Sequence, residues 1–409
     1  MLGGVSDSRR FVIVGASLTG AKAAEALRKD GFEGTVTLVG QEGERPYERP
    51  PLSKEYLRGE AGPEQLFVHK EGYYEAADID LRLGQAVASI DVPGHAVVLA
   101  SGEDLPYTSL LLCTGAEPRR LPLPGADLRG VYYLRDMASS ATLRGAIEGA
   151  GKVAVIGAGW IGCEVAASAR QLGAPVAMVE VAQLPLQKVL GPELGSFYRD
   201  VHADHGVEMH FGVAPEALVG PGAVEGVRLA DGRTLQADVV VVGIGVAPST
   251  VLAEQAGIDT QNGVLTNEYL ETFSPGIFAA GDVANAFHPL FGERVRVEHW
   301  ANARNQGPAA ARNMLGRQEP YARVPYFYSD QYDVGMEYSG YAPAWDEVVF
   351  RGDVAGREFI AFWLKDGRVA AGMNVNIWDV NQQISDLVAS RRSVDIARLV
   401  DPDVSLANV

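Results

Sequence analysis

The residues with the most evident chemical use sit in a glycine-rich turn, Gly157-Ala-Gly-Trp-Ile-Gly162, which follows the apolar run Lys152–Ile156 and opens an alanine-rich stretch. In such a turn Gly157 permits the tight bend, Gly159 lets the backbone approach a pyrophosphate and Gly162 allows close helix packing, while the helix N-terminus faces the negative charge. A lone GxGxxG is a weak signal, because many such turns only join a strand to a helix. The context strengthens it: Glu180 ends the next apolar run, eighteen residues past Gly162. A carboxylate there can accept hydrogen bonds from an adenosine ribose and repels a 2′-phosphate, so NADH is expected over NADPH.

A second turn, Gly15-Ala-Ser-Leu-Thr-Gly20, departs from the pattern by placing Ser17 where the middle glycine belongs. Its hydroxyl could donate to a phosphate, but its Cβ limits how closely the backbone approaches, so an ordinary strand-to-helix turn stays open as a reading. Gln41-Glu42, after the following strand, offers an acceptor for a ribose. Asp282 ends the apolar run Ile277–Gly281, where a carboxylate could emerge at a carboxyl strand end, although a turn aspartate is the commoner fate of Gly-Asp. Taken alone, Lys54 reads as a solvated lysine after Pro50-Pro51, Glu164 as an exposed first-turn helix glutamate favoured by the dipole, and Trp300 as core. His202, His205 and His210 lack matched carboxylates or an HExxH spacing, so they read as surface histidines and no metal site is expected. Cys113 and Cys163 are the only cysteines, fifty positions apart, which excludes a CxxC redox pair or a cysteine-ligated cluster. Both read best as packed thiols. The chemistry must come from a bound organic cofactor.

These residues need elements to hold them. Phe11–Val14, a helical stretch Ala21–Arg28 and Thr35–Val39 make a βαβ unit of dinucleotide-binding length, and the same grammar returns from Lys152 to Glu180. Asp238–Val242 and the loop to Pro248 close the second unit, and Thr272–Asp282 reads as the first one resuming. Beyond Pro325 aromatics cluster, and alternation in Glu358–Leu364 and Arg368–Asn374 predicts antiparallel strands. A chain of 409 residues suits two or three packed domains. No apolar run reaches the roughly 18 residues of a membrane helix, and Met1–Arg10 has no apolar leader region, so a cytoplasmic protein with no membrane contact is expected. The formal charge of −17 argues against a nucleic-acid-binding surface.

Across essentially its whole length the sequence resembles the FAD-dependent ferredoxin reductases of bacterial oxygenase systems. The resemblance rests on Arg45-Pro-Tyr-Glu-Arg-Pro-Pro-Leu-Ser-Lys54, Thr114-Gly-Ala116, Gly157 to Glu164, Ala279-Ala-Gly-Asp282, Val297-Glu-His-Trp-Ala-Asn302 and Ser329-Asp-Gln-Tyr332. It implies an α/β, glutathione-reductase-like fold with two Rossmann-type nucleotide-binding domains and a C-terminal α+β domain. FAD would occupy residues 1–116 with 247–324, NADH 117–246, and 325–409 would form the last domain. Residues implied at FAD are Gly15, Ser17, Thr19, Gly20, Gln41, Glu42, Arg49, Lys54, Val87, Thr114, Gly115, Arg135, Gly281, Asp282 and Trp300. Those implied at NADH are Gly157, Gly159, Ile161, Gly162, Glu180 and Gly245. Lys54 and Glu164 are implied as a pair beside the reacting flavin edge, and a [2Fe–2S] ferredoxin serving a cytochrome P450 or Rieske-type oxygenase as the electron acceptor. An NADH oxidase or rubredoxin reductase on the same scaffold, or an NADH-sensing flavoprotein like apoptosis-inducing factor, are the rival readings. Residues 291–325 carry six arginines against three glutamates. Within that stretch Arg296 is expected to steer the acidic ferredoxin, with Tyr328 packing at the contact.

Overall fold

The structure is a computed structural model that describes residues 7–409; the first six residues, part of the stretch read for a leader, lie outside it. The chain divides into two compact units, one of Met1–Glu48, Leu66–Glu117 and Ala247–Pro325, the other of Arg49–Gln65, Pro118–Val246 and Tyr326–Val409.

The first unit is built on a five-stranded parallel sheet in the order Ile277–Ala279, Ser109–Leu112, Arg10–Val14, Thr35–Val39, Ile79–Arg82. Phe11 to Val14 are all buried, as a parallel strand covered on both faces requires. The helix Leu18–Lys29 presents Ala21, Ala23 and Ala24 inward with no exposure, and such small residues let the helix Trp300–Met314 come close. At the contact a Cβ on Gly307 would stand 2.3 Å from the Thr19 carbonyl oxygen. The strand Arg10–Val14 has neighbours reached in opposite directions along the sheet, which makes its carboxyl end the topological switch point where such sheets bind ligands.

The second unit repeats the plan with Glu208–Phe211, Val176–Glu180, Val153–Ile156, Val239–Val242 and Val131–Tyr132 in parallel. Its C-terminal part is an antiparallel sheet ordered Tyr326–Gln331, Val334–Gly340, Arg368–Val375, Glu358–Lys365, Glu347–Asp353, including the two strands expected from alternation. This sheet shares a core with the nucleotide fold: Met336, Trp363 and Met373 are buried together with Leu190, Leu194 and Tyr198, and Trp363 Nε1 donates to the Leu190 carbonyl at 3.0 Å.

The segment Arg49–Gln65, expected within residues 1–116, packs in this second unit. The reason is local: the 3-10 turn Pro50–Ser53 leaves carbonyls that need donors. Ser140 Oγ donates to the Leu52 carbonyl at 2.7 Å and Ser168 Oγ to the Ser53 carbonyl at 2.6 Å, both from fully buried positions.

The histidines correct another expectation, since only His205 is even partly open to solvent. His202 is fully covered and His210 is buried against Glu208. Their partners are Gln331 and the Tyr332 hydroxyl for His202, the Tyr332 ring at 3.6 Å for His205, and Glu208 at 2.7 Å for His210.

Candidate functional site

In the first unit the carboxyl strand ends gather Gly15, Thr114 and Gly281, each just beyond a strand of one sheet. Gly15 has φ +116°, and a Cβ there would lie 2.1 Å from the Cys113 carbonyl oxygen; one on Gly20 would lie 2.1 Å from the Gly15 oxygen. Only glycine closes this turn. Gly281 lies against Thr19, whose Oγ1 would be 2.5 Å from an added Cβ. Ser17 sits at the N-cap of Leu18–Lys29 without using its hydroxyl as a cap, so that hydroxyl is spared for another acceptor. Thr114 Oγ1 donates to the Ser249 carbonyl at 2.8 Å, and the Ser249 N–H donates to the Gly115 carbonyl at 2.9 Å. Asp282 lies in a 3-10 turn, and Trp300, first residue of its helix, donates from Nε1 to Glu48 at 3.0 Å under the Arg304 guanidinium. Glu42 is half-buried and accepts from the Tyr47 hydroxyl, Gln41 is exposed, and Val87 lies half-buried at the start of Val87–Asp91.

In the second unit Gly157 has φ +99°, and its Cβ would stand 2.4 Å from the Gly243 oxygen; at Gly162 a Cβ would meet the Gly157 oxygen at 2.0 Å. Gly159, by contrast, faces open space, with nothing within 4 Å of an added Cβ. That is the approach a pyrophosphate needs. Ile161 beside it is 46% exposed, an aliphatic side chain left for a bound molecule to cover. Glu180 does more than sequence reasoning assigned: its two oxygens accept from the Ala158 N–H at 2.8 Å and the Ala182 N–H at 3.0 Å. It therefore braces the turn, and each oxygen keeps capacity to accept a further hydrogen bond. Gly245, at φ +92°, accepts at its carbonyl from the Arg119 N–H.

The same unit brings Lys54 and Glu164 together, overturning the reading of either as a solvated surface charge. Each is 5% exposed, and Lys54 Nζ lies 3.2 Å from Glu164 Oε2. Ser53 Oγ donates to the same oxygen, and Ser329 Oγ donates to Oε1 at 2.7 Å. A buried carboxylate is costly unless paired and hydrogen-bonded, and this one has three donors. Tyr328 lies alongside, its ring centroid 5.6 Å from Lys54 Nζ. Arg49 Nη1 donates to the Arg135 carbonyl at 2.6 Å, next to the Asp136–Ser139 capping box of the helix Met137–Glu148. Ser53, Ser140, Ser168 and Glu48 had no role in the sequence reading; their partners lie too far along the chain for spacing to reveal them.

Arg296 is not a free charge. Its side chain is 11% exposed and ion-paired with Glu298 at 2.5 Å, with further bonds to the Asn262 side chain and the Asp282 carbonyl. A covered, compensated guanidinium is a weak source of long-range steering. Cys113 and Cys163 are buried and burial pushes both thiols far up, so neither supplies a thiolate.

Both turns thus fit a dinucleotide: glycines where a Cβ is forbidden, open space at Gly159, an uncommitted Ser17 hydroxyl and a half-buried carboxylate at Glu180 beside the turn. Comparison with known proteins agrees. Residues 9–307 match the pyridine nucleotide-disulphide oxidoreductase family and 326–409 the reductase C-terminal family. The chain is 38% identical over 397 residues, 97% of this chain and 98% of the relative, to the anthranilate 1,2-dioxygenase system ferredoxin–NAD(+) reductase component of Burkholderia cepacia. It is 34% identical to putidaredoxin reductase of Pseudomonas putida over 97% of this chain and 96% of that one. A solved ferredoxin reductase from Rhodopseudomonas palustris superimposes with a TM-score of 0.95 at 37% identity, covering 98% of this chain and 100% of that one. The reductase in a covalent putidaredoxin reductase–putidaredoxin complex gives 0.94 at 34% identity, with 98% and 97% covered. With these matches over its full length, the chain belongs to the pyridine nucleotide-disulphide oxidoreductase family, among its FAD- and NAD(H)-using ferredoxin reductases.

Proposed function

We propose that the protein is an NADH:ferredoxin oxidoreductase that supplies a [2Fe–2S] ferredoxin of a cytochrome P450 or Rieske-type oxygenase. Bound FAD supplies the chemistry, accepting two electrons as hydride and releasing them singly. The single observation that carries the reading is the buried Lys54–Glu164 pair, an ion pair that a purely structural strand-to-helix junction has no need to bury.

The chain's own residues bind, orient and shield. Gly15, Ser17, Thr19 and Gly20 hold the FAD phosphates, with Gln41 or Glu42 at the ribose and Val87, Thr114, Gly115, Gly281, Asp282 and Trp300 along the rest of the cofactor. Arg49, Arg135 and Lys54 complete the set assigned to FAD. Gly157, Gly159, Ile161, Gly162 and Gly245 hold NADH, and Glu180 selects it over NADPH. Lys54 and Glu164 fix charge beside the reacting edge, and Tyr328, packed on Lys54, takes the ferredoxin-facing side. Residues 1–116 with 247–324 serve FAD, 117–246 serve NADH and 325–409 complete the molecule. The lack of a cysteine at the Pro50–Ser53 turn and the burial of both thiols speak against a thiol-using oxidase. Among the described residues no helix is long and apolar enough to cross a membrane, and we place the protein in the cytoplasm.

Anaerobic stopped-flow mixing of the NADH-reduced holoenzyme with a panel of [2Fe–2S] ferredoxins and rubredoxins tests this. At least one [2Fe–2S] ferredoxin should be reduced faster than any rubredoxin; a clear preference for rubredoxins would contradict the assignment.

A further inference from the structure

The motif Ser329-Asp-Gln-Tyr332 acquires a task from its surroundings. Ser329 and Gln331 stand two apart on the strand Tyr326–Gln331, so both point to one face, and each is 1% exposed. Facing them is His202 of the helix Gln187–Asp204, with no exposure at all. Gln331 Nε2 donates to Ser329 Oγ at 3.3 Å, His202 Nε2 lies 3.0 Å from Gln331 Oε1, and the Tyr332 hydroxyl lies 3.3 Å from His202 Nδ1.

The direction of this chain follows from its end. Glu164 as a carboxylate only accepts, so the Ser329 hydrogen must go to Oε1. Ser329 then accepts from the Gln331 amide nitrogen, which turns the amide oxygen to His202. That oxygen requires a hydrogen on Nε2, which leaves Nδ1 as acceptor for Tyr332. Every donor points toward Glu164.

The far end is held at a backbone cost. Tyr332 has φ +57° in a two-residue hairpin turn, a conformation that glycine or asparagine adopts more readily than an aromatic. Its ring lies flat on His205 at 3.6 Å, which holds the hydroxyl over His202. Burying a serine, a glutamine and a histidine is unfavourable beside an apolar core unless the network is complete. This one is complete and ends on the ion pair.

We infer that Gln331 and His202 are positioning residues for the Lys54–Glu164 pair: through Ser329 they fix Glu164 Oε1, and so keep Oε2 directed at Lys54 and Ser53. The inference rests on the reading of that pair as part of the reductive site. It is tested in the holoenzyme by the anaerobic rate at which NADH bleaches the flavin, with NADH saturation measured separately. Glu164→Gln should slow reduction. Gln331→Leu should slow it about tenfold, the size of one lost buried hydrogen bond, with little change in the NADH concentration giving half-maximal rate. Gln331→Leu should add nothing in the Glu164→Gln background, since residues acting through one another are not additive. Tyr332→Phe, which removes only a hydroxyl, should give a smaller slowing and serves if Gln331→Leu does not fold. Independently of turnover, 15N shifts of His202 in the FAD-free protein should report hydrogen on Nε2. A Glu164→Gln enzyme at the wild-type rate would refute the site reading itself. With a slow Glu164→Gln enzyme, wild-type rates in Gln331→Leu and Tyr332→Phe, multiplying effects in the double variant, or hydrogen on Nδ1 would overturn the positioning role alone.

Discussion

At the scale of single residues, Glu180 carries two duties that pull its substitution in two directions. In the role proposed for it the carboxylate repels a 2′-phosphate, and in the structure it holds the Ala158 and Ala182 N–H groups. Glu180→Ala should therefore narrow the preference for NADH over NADPH without creating affinity for NADPH, and should raise KM for NADH as the turn loses its brace. Equal kcat/KM for both nucleotides in the unaltered enzyme would contradict this. Arg296 gives a second prediction. Because it neutralises Glu298, Arg296→Gln should leave an uncompensated carboxylate that would repel an acidic ferredoxin docking there. The kcat/KM for ferredoxin should fall severalfold at low salt and recover toward the unaltered value as salt rises. Glu298→Gln should restore it in the double variant, with ferricyanide reduction much less affected; a loss insensitive to salt would exclude the electrostatic account. The pairing of Arg296 with Glu298 was not legible in the sequence, where Arg296 was singled out as a steering charge. Spacing alone did not show the burial of Lys54 either, because its partner stands 110 positions away; only the family resemblance implied the pair. The glycines were legible because the tight strand-to-helix turn is a local pattern, although the carbonyls that forbid a Cβ at Gly15 and Gly157 belong to Cys113 and Gly243, far along the chain.

At the scale of elements, the alternation of buried strands and alanine-rich helices showed both βαβ units, since a parallel strand covered on both faces must be continuously apolar. The hairpin strands of the C-terminal sheet were equally visible, although burial runs through Glu358–Lys365 and Arg368–Val375 almost without a break where alternation was expected. What spacing could not reveal is which elements lean on which. The Pro50–Ser53 turn belongs with the helices Met137–Glu148 and Trp160–Gln171 through two buried serines, contacts that span about a hundred positions of chain. These serines should matter for the turn more than for the fold. Ser168→Ala removes the bond to the Ser53 carbonyl and a longer one from Arg58 Nη1 at 3.4 Å, and leaves the Ser53 carbonyl short of a donor, a cost of about 1 to 3 kcal/mol. The expected result is a lower denaturation midpoint together with slower flavin reduction by NADH, because the turn carries Ser53 and Lys54. A melt lowered with reduction unchanged would show that the turn keeps its position without this bond.

At the scale of the whole molecule, two buried histidines, one in each unit, link stability to pH. Burial holds His202 and His299 down to about 4, below the ordinary value near 6.5. Between those values the unfolded chain binds more protons than the folded one, so stability is complete above about pH 6.5 and falls as pH drops toward 4. The slope is up to about 1.4 kcal/mol per pH unit for each histidine. Urea midpoints at pH 7.5 and pH 5 should differ in that direction, and His202→Asn should flatten the difference; a midpoint independent of pH across this window would contradict it. The burial of His202 was not legible, since it and His205 flank Ala203-Asp204 in a sequence that looks solvated. The architecture was legible because it follows from repeated local grammar. The central claim concerns the direction of electron flow, and NADH-driven reduction of cytochrome c tests it most directly. With NADH and the holoenzyme alone the rate should be slow, and adding a [2Fe–2S] ferredoxin should raise it at least tenfold and saturably. A rate that ignores the ferredoxin, with NADH consumed against oxygen instead, would contradict the account.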